Sequence, residues 1–139
     1  MAQSRDIWRK IVVLAVVGGL AFWAISIATS LVPITVDYRA ARWSAETVWV
    51  GSLPAGMIIG FFVSFFLLRF FDKIPTRNPI LKSVILSFSA MVIIEVLSTF
   101  GNLSNAYVFL VIDTVMNVPR ILALGIVIGY LYMRARAKK

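Results

Sequence analysis

Four long apolar stretches dominate this chain: Ile11 to about Leu31, about Trp49 to Phe71, about Ser83 to Phe100, and Tyr107 to about Met133. At roughly 20 residues each and 1.5 Å of rise per helical residue, such runs match the ~30 Å hydrocarbon core of a bilayer. Within 139 residues they leave only short loops and two tails, with no room for a separate soluble domain. The expected fold class is therefore an all-α integral membrane protein, with residues 1–139 forming one compact bundle of four transmembrane helices. Hydrophobic residues make up 60% of the chain and charged residues 14%, against about 45–50% and about 25% in soluble domains. Span one, with its basic start and Ser26-Ile27-Ala28, also has features of a secretory signal. Its apolar run continues past that site and exceeds the usual signal core, so a retained helix is expected.

Basic residues set the expected orientation. Eleven of the fourteen Lys and Arg fall in the N-terminal tail (Arg5, Arg9, Lys10), around the second loop (Arg69, Lys73, Arg77, Lys82) and in the C-terminal tail (Arg134, Arg136, Lys138, Lys139). Only Arg39 and Arg42 lie in the first loop, and none lies in the third. The positive-inside rule then puts both termini in the cytoplasm, as an even number of spans requires. The net charge of +8 is accordingly expected to meet anionic lipid headgroups on the cytoplasmic side rather than nucleic acid.

The first connection has residues to spare. Arg39, Arg42 and Glu46 recur at helical spacing opposite Tyr38, Ala41, Ala45 and Val48, which reads as a short interfacial helix over 37–47, with a solvated loop as the alternative. The third loop is short enough to force spans three and four into a hairpin. Its Asn102-Leu103-Ser104 matches a glycosylation acceptor but lies too close to the bilayer for modification to be expected. Pro75 and Pro79 make the cytoplasmic loop an irregular turn. No repeat relates the two halves of the chain.

With neither Cys nor His, disulfides, thiolate zinc, His-ligated haem and a Ser-His-Asp triad are excluded. No metal site, cofactor or catalytic set is expected, and an enzymatic function is not. The polar residues that remain inside apolar runs carry what chemistry there is. Asp113, Asn117 and Arg120 fall at i, i+4 and i+7 on span four, and Glu95 lies at a similar depth on span three. A charge near the bilayer centre costs ~2.5–3.5 kcal/mol on insertion scales. These groups are therefore expected to face inward as one network, serving either as structural glue or as a polar pathway. Pro119 frees a carbonyl beside the cluster, and Ser87 and Ser98 extend its polar line.

Small residues mark the expected helix contacts. Ser52, Gly56, Gly60 and Ser64 repeat every four residues on span two, and Gly125 and Gly129 do so on span four. Such stripes let backbones approach closely, either within one chain or between chains. The leading functional expectation is an accessory or oligomeric subunit of a membrane complex held together by these grooves and the charge network. The competing one is a small proton- or cation-coupled transporter or channel using Glu95 and Asp113 with Arg120.

Overall fold

A computed structural model describes residues 2–32, 45–74, 76–100 and 106–137, with the side chains of residues 2–4, 45, 98–100, 106–110 and 112 left aside. Four helices account for nearly all of it: α1 (Ala2–Ser30), α2 (Ala45–Arg69), α3 (Pro79–Phe100) and α4 (Ala106–Ala137). All four are long and apolar enough to cross a membrane. The expected interfacial helix and the glycosylation acceptor fall largely or wholly outside the described residues. Ala45, Glu46 and Thr47, read as the end of that interfacial helix, instead open α2.

All four helices overrun the expected spans at one end or both, because hydropathy marks only the apolar run, whereas backbone hydrogen bonding carries a helix on into its polar flanks. Helix α1 begins nine residues before the apolar run, and its polar end is held by a Lys10–Asp6 ion pair of 2.5 Å across one turn. At its other end, Ser26, Thr29 and Ser30 donate to the carbonyls of Phe22, Ser26 and Ile27 at 2.8, 3.1 and 2.7 Å. Helix α3 starts at a proline, whose missing N–H is no loss in a first turn. The Asn78 side chain caps it by accepting from Ile80 N–H at 2.9 Å. Between α2 and α3 the chain makes a short 3₁₀ turn, Phe71–Lys73. The buried Lys82 ammonium donates to the Phe71 carbonyl and sits 3.6 Å from the centre of its ring, clamping that turn.

The helices pack in sequential order around a ring, α1 beside α2, α3 beside α4, and α1 closing against α4; α2 and α3 meet over a smaller area. Glycines allow the closest approaches. A Cβ at Gly56 would come within 3.0 Å of the Gly19 carbonyl oxygen, and one at Gly60 within 2.9 Å of that of Ala15. Across the second pair, a Cβ at Gly125 would meet Val84 Cα at 2.9 Å and one at Gly129 would meet Ile80 Cα at 2.5 Å. The glycines of the stripes on α2 and α4 are thus met from within the chain. Trp8 of α1 stacks on Phe61 of α2 with ring centres 6.2 Å apart, adding an aromatic contact to the same pair.

Burial departs from that of a water-soluble bundle, with large apolar residues outside and polar ones among the buried. Val50, Ile58, Val92, Ile93, Leu97, Val111 and Val115 are exposed, while Ser26, Ser30, Ser64, Ser83, Ser87, Glu95 and Arg120 are buried. Leu14, Val63, Leu67, Leu124 and Ile128 form a tight apolar core toward the end that carries both termini. The half nearer the interhelical connections 33–44 and 101–105 is packed differently.

Candidate functional site

In that half, which we call the loop end, all four helices contribute to one cavity of about 570 Å³. It extends from Thr47, in the first turns of α2, to Ile121 at mid-bundle on α4. Phe22, Ala55, Ile58, Ile59, Met91 and Ile94 supply apolar wall; Thr47, Ser52, Glu95, Asn117 and Arg120 supply the polar groups. A few fixed polar groups in a mostly apolar enclosure of ~300–1,000 Å³ is the usual make-up of a small-molecule site.

The polar wall is a connected chain. Asn117 Nδ2 donates to Glu95 Oε1 at 2.9 Å, and Arg120 Nη1 donates to Asn117 Oδ1 at 3.2 Å. Arg120 Nε and Nη2 both donate to Thr29 Oγ1, at 3.3 and 3.2 Å, while that hydroxyl spends its own proton on the Ser26 carbonyl. The line from carboxylate to amide to guanidinium to hydroxyl therefore ties α3 to α4 and α4 to α1. Glu95 and Arg120 are each only 9% exposed. In such surroundings an unmatched charge is expensive, and the Asn117 amide serves both signs at once, accepting on one atom and donating from the other.

Of the residues singled out in the sequence, Glu95, Asn117 and Arg120 share this cavity, and Ser52 stands in its wall with its hydroxyl 3.3 Å from the Trp49 carbonyl. Asp113 is half-buried one turn before Asn117 and does not line the cavity. Ser98 lies outside the described side chains. Pro119 sits inside α4, which continues through it. Ser87 is buried below the cavity and returns its proton to the Ser83 carbonyl at 2.8 Å. Thr29 belongs to no motif in the sequence. Its only trace in the sequence is the cluster of hydroxyls ending α1, where Ser30 also accepts from Trp49 Nε1 at 2.8 Å and the Trp49 carbonyl accepts from Trp23 Nε1 at 2.9 Å. Those indole bonds hold α1 to the start of α2 along one edge of the cavity.

Among the described residues no three Asp or Glu side chains come together, so the site's ionic character rests on one carboxyl and one guanidinium. No protein-family model, curated protein or solved structure matches this chain.

Proposed function

We propose that this chain is an integral multi-pass membrane protein that transports a small amphiphilic organic anion together with a proton. The single observation supporting this is that Glu95 and Arg120 face one apolar-walled cavity and are joined there through Asn117. With Glu95 ionised the pair is neutral overall and the guanidinium is satisfied from within. A proton arriving alone would give the Glu95–Arg120 pair a net positive charge, and an anion arriving alone would give it a net negative one; in a desolvated site either is costly. A proton on Glu95 and an anion on Arg120 restore neutrality together, so the two are taken up as a pair. The apolar wall accommodates the body of the solute while Arg120 binds its charged end.

The packing offers a way to open the opposite end. Glycine contacts lock α1 to α2 and α3 to α4, whereas α2 and α3 meet only lightly. The Arg120–Thr29 bonds cross between the two hairpins. When Arg120 turns to an anion those bonds are released, and the hairpins can tilt about one another. A role as a subunit of a larger complex draws no support from the α2 stripe, since Phe22, Gly19 and Ala15 already occupy it.

The pH dependence tests this reading. The purified chain in detergent is titrated with octanesulfonate, which stays anionic across the accessible range, and heat release and proton uptake are followed by calorimetry in two buffers. Binding should tighten as pH falls, with about one proton taken up per anion, because the pair stays neutral only when the anion and the proton arrive together. In Glu95→Gln binding should persist, independent of pH and without proton uptake, since Gln keeps the shape but cannot titrate. Octanesulfonate, octyl phosphate and octanoate all failing to bind, or a Glu95→Gln profile identical to that of the parent, would reject it.

We further propose that both termini lie on the cytoplasmic side, on the distribution of Lys and Arg. Reporter fusions at Lys139 and near Asn105 should then report opposite sides of the membrane. A non-cytoplasmic signal from the C-terminal fusion would reverse the assignment.

A further inference from the structure

A second cavity, of about 660 Å³, lies at the opposite end of the bundle, where α1 and α4 bring both termini together. Arg9 and Lys10 enter its rim from α1 and Arg134 and Arg136 from α4, while Leu14, Leu68 and Leu131 form its apolar floor. Asp6 is also present, paired with Lys10 at 2.5 Å, which leaves three arginines in excess. Arg136 is steadied from behind. Its guanidinium carbon lies 4.9 Å from the centre of the Phe71 ring, and that ring stacks on Tyr132, which lines the cavity, at 5.2 Å. A guanidinium held against an aromatic ring has lost much of its freedom already, and its in-plane donors suit the paired oxygens of a phosphate.

We infer that this cavity is a specific site for the phosphate headgroup of an anionic phospholipid. Charge selects the ligand: three arginines around an apolar floor fit a phosphodiester joined to acyl chains, and a zwitterionic headgroup would bring an ammonium toward them. Depth favours the same ligand. On α1 Leu14 follows Arg9 and Lys10 toward the middle of the bundle, and on α4 Leu131 precedes Arg134 and Arg136, so on both helices the apolar residue lies deeper than the cations, which repeats the order of headgroup and acyl chain in a lipid leaflet. The volume exceeds what a phosphate needs and is less than a whole lipid, so the headgroup and the upper chains are enclosed and the remainder runs out past the exposed Val13. The site stands apart from the cavity around Glu95 and does not depend on its function.

The full chain in a neutral detergent, with phosphatidylglycerol or phosphatidylcholine added, separates specific binding from general attraction. Native mass spectrometry should show phosphatidylglycerol retained and phosphatidylcholine lost. Arg134→Gln with Arg136→Gln should weaken retention roughly tenfold or more. Removing two exposed cations that do not line the cavity, Lys73→Gln with Arg77→Gln, should change it by less than about twofold, since exposed charges are screened. Arg9→Gln, on the other wall and away from the Phe71 stack, should also weaken retention, and it keeps the test open if the α4 double variant folds poorly. Asp6→Asn should tighten binding. Equal retention of the two lipids, equal loss from the cavity and control pairs, or displacement of the lipid by millimolar inorganic phosphate would overturn the assignment, the last by identifying a soluble phosphate as the occupant.

Discussion

Replacing Arg120 by Met should destabilise the bundle by about 3–5 kcal/mol, more than replacing Glu95, Asn117 and Arg120 together by Leu, Leu and Met. Arg120→Met removes a guanidinium that donates to both Asn117 and Thr29 and leaves Glu95, 9% exposed, without its opposite charge in the cavity. A carboxyl in an apolar wall that has lost the opposite charge lining the same cavity lowers stability. The triple variant leaves no charge among the side chains lining the cavity and fills much of the polar volume with carbon, so its cost should be small or even negative. Thr29→Val belongs to the same series. It removes the acceptor for two Arg120 donors while keeping the side chain's shape, and a loss of about 1–3 kcal/mol is expected. Unfolding in mixed micelles with increasing denaturing detergent measures all three. A triple variant less stable than Arg120→Met would show that the network's worth lies in its hydrogen bonds rather than in charge balance.

How much of this could be read from sequence differs from residue to residue. The four helices were legible because runs of about 20 apolar residues have the length of a membrane-crossing helix, and no other pattern in the chain competes with that reading. Their ends were less so. The polar first turns of α1 hold helix through the Lys10–Asp6 pair and α3 begins at a proline under an asparagine cap, local devices that hydropathy does not see. Asn117 and Arg120 were legible as neighbours because three residues along a helix return to the same face. Glu95 could be placed beside them because a short third loop makes α3 and α4 adjacent.

Thr29 and the cavity were not legible, for a common reason. The Arg120–Thr29 bonds join residues 91 positions apart and depend on α1 closing the ring against α4, an arrangement that no helical periodicity encodes. A cavity is set by how far apart helices stand, and hydropathy carries no distance. Ser52 illustrates the difference. Its spacing from Gly56 and Gly60 placed it in a packing groove, yet it lies one turn beyond the close contact and faces the cavity. The stripes themselves signalled close approach without naming a partner. Only the positions of Gly19, Ala15, Val84 and Ile80 show that the partner is the same chain.

That identification leads to the other large expected effect. Gly129→Leu should unfold or strongly loosen the α3–α4 pair, by more than about 3 kcal/mol. Even the first carbon of a side chain would stand 2.5 Å from Ile80 Cα and 3.0 Å from the Pro79 carbonyl oxygen. Both atoms belong to backbone in the first turn of α3, so no rotamer change can relieve the contact and the helices must separate. Separation would also pull on the turn that Lys82 clamps through Phe71. Gly51 is the matched control: a Cβ there meets no atom within 4 Å, so Gly51→Ala should be tolerated and, through better helix propensity, gain up to about 1 kcal/mol. Gly60→Leu should resemble Gly129→Leu, since its obstacle is the Ala15 backbone at 2.9 Å. Thermal unfolding of the three variants in detergent, with crosslinking at several protein concentrations, distinguishes contact within a chain from contact between chains. Loss of a crosslinked oligomer with an unchanged unfolding temperature would place the stripe between chains; a lowered unfolding temperature at every concentration is the outcome that the internal contacts require.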